Sequence, residues 1–172
     1  MKVYFVRHAS AGLPTQDLNL DQRRKLDNKG IAQCESVGAA LALMKTRVDT
    51  ILSSPFRRTL QTAALIASAI RHQNTIVISP ALHPNADYPQ FRSLLEGYRG
   101  KKAIMVVGHD INLSGFLGTL LSGRWPVNGL RLQHAAVAVL KVTQRSAKLQ
   151  CYLTPDLAPF VFINSAYSCL AT

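Results

Sequence analysis

The sequence predicts an α/β protein in three layers, with helices on both faces of a mostly parallel sheet that has an antiparallel edge. Apolar strand patterns alternate with helical patterns over residues 3–122, as in a series of βαβ units. The nearly continuous apolar run at 102–108 indicates a central strand buried on both faces. The last two strand patterns, 136–140 and 149–153, follow each other across a polar turn, which is typical of an antiparallel hairpin.

Length and composition indicate one globular domain over residues 1–172, with 154–172 as an irregular tail. The hydrophobic content of 48% argues against disorder. No stretch reaches the roughly 18 apolar residues of a membrane-spanning helix. Arg7 also interrupts the first apolar run too early for a signal peptide, so we expect a cytoplasmic protein without a membrane partner.

The net charge of +11 makes an anionic partner plausible. The cations are scattered, without a long basic run or interleaved aromatic residues, which disfavours nucleic acid as that partner. The three cysteines lack CxxC spacing and a histidine at metal-ligand spacing. The sequence therefore predicts reduced cysteines and no metal site.

The first strand, 3–6, ends abruptly in Arg7 and His8. Ligands of open α/β sheets bind beyond the carboxyl ends of the strands. Arg7 offers a planar set of donors to phosphate or carboxylate, and His8 offers a nucleophile or proton carrier near neutral pH. The alternative is a surface cation beside an ordinary loop histidine, so the pair needs partners from elsewhere in the chain.

The segment that follows predicts a loop, a helix and a second strand. Residues 11–25 are polar and contain a glycine and a proline, which favours a loop over the end of the first strand. Apolar residues then recur at helical spacing over 28–46, with Asp27 at the N-cap position. The second strand is 49–53, and it too ends at a polar turn.

The next helix begins with Arg57 and Arg58 and is expected to run to about Arg71. The helix dipole disfavours cations at this end. A bound phosphate would explain them, because a helix N-terminus and an arginine can bind the same anion. The alternative is that the arginines point into solvent, which we expect for one of the two.

A third strand, 75–78, leads into a loop, 79–87, with two groups able to carry protons, His83 and Asp87. A short helix is expected at 88–98.

The central strand ends in His109, and a helix of about three turns follows and stops before Gly123. Three strand ends thus bring Arg7, His8, Arg57 and His109 toward one crevice. Two arginines and two histidines match the charge and geometry of a phosphoryl group. Neither a Walker loop nor a carboxylate cluster is present in the sequence, so no cofactor is predicted.

These blocks resemble the histidine phosphatase superfamily over roughly residues 1–155. Its Arg-His-Gly tripeptide stands here as Arg7-His8-Ala9, and its Leu-Thr-x-x-Gly segment has Asp27 in place of threonine. The short length and two further segments look most like the SixA-type phosphohistidine phosphatases. The segments that carry the likeness are 7–9, 26–30, 53–63, 82–84, 107–109 and 153–155.

The resemblance implies a phosphoglycerate mutase-like fold and a metal-independent phosphatase. His8 would be the transiently phosphorylated nucleophile, and Arg7, Arg57 and His109 would form the phosphate pocket with it. The register of the block favours Arg57 over Arg58 as the arginine that faces the phosphate. The partner it implies is a phosphorylated protein, such as a His-phosphotransfer domain.

A possible general acid bears on the substrate. Phosphoglycerate mutases and many relatives carry a glutamate in the third-strand loop, where this sequence has Pro84. Expelling an alkoxide needs a proton donor, worth roughly 10²–10⁴-fold in rate, whereas a protonated phosphohistidine has a far better leaving group. We therefore expect an N–P bond as substrate. Asp110, Asp87 and His83 are candidate proton donors that would restore ester hydrolysis, and Asp110 has the alternative role of a helix cap.

The sequence thus predicts a phosphohistidine phosphatase with a covalent intermediate on His8. Two alternatives stay open: a small-molecule phosphomonoesterase with the same pocket and an acid, and a non-catalytic phosphate-binding scaffold that would tolerate loss of His8.

Overall fold

The computed structural model describes residues 1–124 and 131–161, and within them six strands form one sheet in the order β3-β2-β4-β1-β5-β6. The strands are β1 (Lys2–Arg7), β2 (Thr50–Ser53), β3 (Val77–Ile78), β4 (Ala103–Gly108), β5 (Val137–Val142) and β6 (Ala147–Leu153). The helices are α1 (Leu18–Arg23), α2 (Asn28–Leu43), α3 (Arg57–Ala69), α4 (Tyr88–Gly97) and α5 (Asp110–Ser122). A 3₁₀ turn, Pro80–Leu82, precedes α4.

The sheet confirms the predicted mixture of parallel and antiparallel strands. β1, β2, β3 and β4 run parallel, and β5 and β6 add an antiparallel edge beside β1. All six residues of β4 are buried, as its continuous apolar sequence predicts. Because β2, β4 and β1 are direct neighbours, the segments that follow them leave the sheet side by side.

Helices cover both faces of the sheet, which confirms the three-layer fold. Alternate residues of each strand point to opposite faces, so Tyr4 and Val6 pack with α2 and α3, while Val3 and Phe5 pack with α4 and α5. On the second face three phenylalanine rings stack in series, with centroids 5.6 and 4.5 Å apart: Phe5, Phe91 and Phe116.

Helix α1 lies inside the predicted loop 11–25. Asp17 caps it by accepting hydrogen bonds from the backbone N–H groups of Asn19 and Leu20 at 2.8 and 3.1 Å. None of its residues is buried. The hydrophobic periodicity that identifies a helix in a sequence is therefore absent from α1.

The ends of several elements follow local backbone chemistry. Helix α5 stops before Gly123 as predicted, and Gly123 adopts the left-handed conformation with φ 71° that glycine tolerates. Of the predicted tail, residues 158–161 form one helical turn, and 162–172, which include Cys169, lie outside the described residues. Cys34 and Cys151 are free thiols. None of the described helices is long and apolar enough to span a membrane.

Candidate active site

Strand register brings His8 and His109 together. Arg7 pairs with Gly108 at the ends of β1 and β4, so the next residue of each chain segment leaves the sheet at the same place. The two imidazole rings lie 5.2 Å apart between centroids in an edge-on arrangement, and both are buried. The structure thus joins two histidines that are far apart in the sequence.

His8 is held in one tautomer by the backbone. Its Nδ1 donates a hydrogen bond to the carbonyl oxygen of Ala9 at 2.8 Å, which leaves the lone pair on Nε2. The Nε–H of Arg58 donates to that Nε2 at 3.3 Å. Burial lowers the pKa of His8 to about 3, with Arg58 and other nearby cations adding to the effect. His8 is therefore neutral at neutral pH and carries its lone pair toward a guanidinium.

His109 is oriented by Ser54 and Arg58. A guanidinium only donates hydrogen bonds, so the 3.5 Å contact from Arg58 Nη2 identifies His109 Nδ1 as the acceptor. The other ring nitrogen, Nε2, then donates to Ser54 Oγ at 2.9 Å. Burial, together with the proximity of His8 and Arg58, lowers the pKa of His109 to about 2. His109 is neutral as well.

Arg58, not Arg57, is the arginine that faces the two histidines. Arg58 is only 5% exposed and its guanidinium lies 4.7 Å above the centre of the Phe56 ring, whereas Arg57 is exposed to solvent. The preference for Arg57 was wrong because successive residues of a helix point about 100° apart. The inward face of α3 carries Arg58 and, one turn later, the buried Thr62.

Helix α1 fixes the guanidinium of Arg58. Arg58 Nη1 donates to the backbone carbonyl of Asp21 at 2.7 Å, and Nη2 forms an ion pair with the Asp21 carboxylate at 3.0 Å. Arg24 holds the same carboxylate at 2.8 Å and also donates to the carbonyl groups of Ala11 and Gly12. Asp21 and Arg24 are site residues that the sequence patterns missed, because α1 gives no apolar signal.

Arg7 is held from the opposite side. Its Nη1 donates to the carbonyl oxygen of Leu132 at 2.8 Å and lies 3.4 Å from the Asp110 carboxylate, while Nη2 contacts His134 Nε2 at 2.9 Å. Its Nε is buried and has no hydrogen-bond partner among residues 1–124 and 131–161. A buried N–H donor without a partner is costly, and an anion that accepted a hydrogen bond from Arg7 Nε would remove this cost.

His134 is a pocket residue that the sequence reasoning missed altogether. Its ring centre lies 5.4 Å from that of His8. It precedes β5, which runs antiparallel to β1, so the amino end of β5 lies at the carboxyl end of β1. The rule that functional groups follow parallel strands does not apply to a residue that precedes an antiparallel strand. The predicted hairpin edge is the sequence feature from which it could have been identified, because the antiparallel strand begins where β1 ends.

The loop after His8 is fixed by the start of α2. The Asp27 carboxylate caps α2 at the N–H of Gly30 at 2.7 Å and accepts from Ser10 Oγ and Gly12 N at 2.7 and 2.8 Å. A Cβ at Gly30 would collide with the Ser10 carbonyl oxygen. Asp27 and a glycine at position 30 are therefore what allow this loop to pack close to the helix end.

The two candidate proton-donating carboxylates are engaged elsewhere. Asp110 accepts hydrogen bonds from Ser114 Oγ at 2.8 Å and from Arg131 at 3.2 Å, in addition to its ion pair with Arg7. Asp87 is exposed and caps α4 through the N–H of Gln90 at 2.9 Å. Asp110 thus orients arginines, and Asp87 stabilises a helix end.

His83, the third candidate proton donor, contacts the Phe56 ring, which also packs against His109. Its ring packs edge-on against Phe56 at 5.0 Å, and Phe56 packs against His109 at 4.9 Å. The Nδ1 of His83 accepts from the Asn85 N–H at 3.2 Å, so its remaining proton is on Nε2. The Phe56 ring therefore contacts both His83 and His109.

The pocket as a whole favours an anion. Two guanidinium groups, Arg7 and Arg58, flank two neutral imidazoles, and within residues 1–124 and 131–161 the only carboxylates that touch the guanidinium groups are those of Asp21 and Asp110. In those ranges we also find no group of three His, Cys, Asp or Glu residues arranged to hold a metal ion.

Comparison with known proteins agrees with this geometry. The model of the histidine phosphatase superfamily (branch 1) matches residues 3–83. The chain is 26% identical over 119 residues to the phosphohistidine phosphatase SixA of Escherichia coli strain K12, which covers 68% of this chain and 71% of that protein.

Solved structures extend the similarity over most of the chain. A SixA protein from Agrobacterium tumefaciens superposes with a TM-score of 0.75 and 28% identity, covering 90% of this chain and 97% of the other. A protein histidine phosphatase SixA in complex with tungstate gives a TM-score of 0.79 at 21% identity, covering 91% and 98%. The family resemblance and the fold inferred from the sequence are thereby confirmed.

Proposed function

We propose that this chain is a phosphatase of the histidine phosphatase superfamily and that it hydrolyses the N–P bond of phosphohistidine on other proteins. The observation that carries the proposal is the state of His8. Its ring is neutral, its Nδ1 proton is fixed on a carbonyl, and its Nε2 lone pair meets the Arg58 guanidinium at 3.3 Å. A neutral imidazole with a directed lone pair is a nucleophile for phosphorus.

In the first step, the lone pair of His8 Nε2 forms a bond to phosphorus as the N–P bond of the substrate breaks. The electron pair of that bond returns to the substrate imidazole. If the substrate ring carries a proton on its other nitrogen, it leaves as neutral imidazole and takes no proton from the enzyme. The positive charge that phosphorylation places on the His8 ring is stabilised by the Nδ1–H bond to the Ala9 carbonyl.

In the second step, water attacks the phosphorus, the N–P bond to His8 breaks, and its electron pair returns to Nε2, while both protons of the water stay on the dihydrogen phosphate that leaves. Arg7 and Arg58 stabilise the charge on the equatorial oxygens in both steps, which is the main requirement of phosphoryl transfer. The neutral His109 ring lies 5.2 Å from the His8 ring and accepts from Arg58 Nη2, so it lines the same pocket and helps to orient the Arg58 guanidinium.

The environment of the carboxylates supports phosphohistidine over a phosphate ester. An alkoxide leaving group needs a proton at the moment the bond breaks. The Asp110 carboxylate forms ion pairs with two arginines, and the exposed Asp87 carboxylate caps a helix, so both are engaged in other contacts. A substrate that supplies its own proton fits this pocket best.

A protein substrate is supported by the apolar side chains that follow pocket residues in the chain. Leu13, Leu18 and Ile111 are 89%, 80% and 87% exposed, and we call these three residues the site rim. Leu13 lies in the loop after His8, Leu18 begins the helix that holds Arg58, and Ile111 follows Asp110. A protein partner would bury these exposed apolar side chains, which stand on segments that also carry pocket residues, and the net charge of +11 favours an acidic partner.

The substrate preference is tested by comparing a phosphohistidine-bearing protein with p-nitrophenyl phosphate. We expect kcat/KM to be at least about 100-fold higher for the phosphoprotein, because the ester lacks a proton donor. The two substrates are compared at one pH and ionic strength, with free phosphohistidine as a third substrate. Faster hydrolysis of the ester would contradict the proposed substrate and would make His83 the next residue to test.

The site rim is tested with the double substitution Leu18→Ser and Ile111→Ser. We expect KM for the phosphoprotein to rise about 10-fold, because each apolar contact removed from an interface costs on the order of 1 kcal/mol. Hydrolysis of free phosphohistidine should stay within about twofold, since that molecule is too small to reach the rim. Leu149→Ser, on the outer strand β6 where Leu149 is 48% exposed, is the matched control. Equal losses on both substrates would show that the rim supports the fold instead.

A further inference from the structure

The guanidinium of Arg7 is held by groups that arrive from a distant part of the chain. Its Nη1 binds the Leu132 carbonyl and its Nη2 binds His134 Nε2 at 2.9 Å. Since the guanidinium has donors only, the Nε2 of His134 must carry a lone pair and the ring proton must lie on Nδ1. The contact therefore exists only while His134 is neutral.

Protonation would turn this contact into a repulsion. An Nε2–H bond would face an Nη2–H bond at 2.9 Å, and two cations would lie side by side. Burial lowers the pKa of His134 below its ordinary value of 6.5, and the Arg7 charge lowers it further. At neutral pH the ring is therefore neutral, and it gains a proton only as the pH falls below that value.

The other charged groups around His134 come from the start of α5, from the start of α2 and from the segment before β5. Asp110 at the start of α5 raises its pKa, as does Asp27 at the N-cap of α2, while Lys29 in α2 lowers it. The neutral His8 ring lies 5.4 Å away. Arg131 also forms an ion pair with Asp110 and therefore competes with Arg7 for that carboxylate.

From this arrangement we propose that His134 is a positioning residue, which holds Arg7 in its phosphate-binding orientation while neutral and releases it when protonated. The proposal rests on the phosphate-binding role that we assign to Arg7. It does not depend on the nature of the substrate or on a covalent intermediate. Its consequence is that anion binding weakens on the acid side of neutrality because of one residue outside the reacting pair.

The experiment measures the affinity of inorganic sulfate, which stays a dianion between pH 5 and pH 8, by competitive inhibition or calorimetry. His134→Gln keeps a carbonyl acceptor for Arg7 Nη2 and cannot gain a proton. His134→Leu removes the acceptor. His72→Gln, beyond the end of α3, controls for loss of a histidine elsewhere.

We expect the wild type and His134→Gln to bind sulfate within about twofold at pH 8, and His134→Leu to bind at least about 10-fold more weakly, as for the loss of one hydrogen bond to a charged group. Over the pH range below 6.5 in which nitrogen NMR shows His134 gaining its proton, the wild type should lose affinity relative to His134→Gln. His72→Gln should follow the wild type throughout.

Two results would overturn the proposal: identical pH profiles for the wild type and His134→Gln, or tighter sulfate binding by the wild type at acid pH. The second would mean that protonated His134 binds the anion itself. Nitrogen NMR of the wild-type imidazoles gives an independent answer that needs no variant. A proton on Nε2 of His134 at pH 8 would also exclude the proposed contact. Because sulfate needs no turnover, a failed substrate assignment leaves this test intact.

Discussion

Replacing His8 by alanine is expected to lower kcat/KM for a phosphohistidine protein by about 10⁴-fold or more. The reason is that the variant lacks the lone pair that attacks phosphorus, and removal of a nucleophile of this kind costs on the order of 10⁴–10⁶ in other enzymes. Arg7 and Arg58 would still be present, so substrate binding should survive and the loss should lie in kcat. Steady-state kinetics on the wild type and variant separate the two quantities.

The covalent step has its own measurement. Mixing the wild type with a ³²P-labelled phosphohistidine protein and quenching in alkali should give a label on the enzyme that acid removes, as expected for phosphohistidine. His8→Ala should give none. His72→Ala is the matched control, because it removes a histidine outside the pocket and should keep both turnover and label. Undiminished turnover by His8→Ala, with its fold verified by circular dichroism, would eliminate His8 as the nucleophile.

The part of the site that lies on parallel strands could be predicted from the sequence. Arg7, His8 and His109 each follow an apolar run, and parallel strands in adjacent positions deliver such residues to one edge. This inference needs only strand polarity and the period of the hydrophobic pattern. It does not need the conformation of any loop.

Side-chain direction on a helix was harder to predict, as the choice between Arg57 and Arg58 illustrates. The two residues have the same charge and adjacent positions, and the sequence does not state where the helix begins relative to the sheet. A shift of one residue turns the inward face by about 100°. The start of α3 at Arg57, after the buried Phe56, decides that Arg58 and Thr62 face inward.

Helix α1 and His134 could not be recognised as parts of the site from hydrophobic periodicity or from the rule for parallel strands. Helix α1 has no buried face, so its tie to the site through Asp21 depends on ion pairs and a cap, which periodicity does not report. His134 lies before an antiparallel strand, where the expectation for parallel sheets does not apply. Asp21 contacts Arg58 and His134 contacts Arg7. Each contact joins segments that are distant in the sequence, so it depends on the tertiary structure and not on a local sequence pattern.

The second large effect is expected from Arg58. Arg58→Ala removes the donor that faces His8 Nε2 and contacts His109, and with it one of the two cations that stabilise the transferring phosphoryl group. Loss of one such donor in a buried site costs about 10²–10³-fold in rate. We therefore expect kcat/KM to fall by that amount, with sulfate inhibition weakened in parallel.

Arg57→Ala is a closely matched control, since it removes the same charge from the neighbouring position of the same helix turn. Arg57 is exposed, and the charge of an exposed side chain is screened by solvent and salt. Its variant should stay within about twofold of the wild type at physiological ionic strength. A larger loss for Arg57→Ala than for Arg58→Ala would contradict the orientation of α3.

Arg58→Lys separates charge from geometry. Lysine keeps the positive charge but has one nitrogen, whereas Arg58 uses Nε toward His8, Nη1 toward the Asp21 carbonyl and Nη2 toward the Asp21 carboxylate and His109. No single ammonium group can occupy these positions together. We expect Arg58→Lys to lose at least about 10-fold in kcat/KM, and recovery of full activity would mean that the pocket requires a charge at this point but not a planar guanidinium.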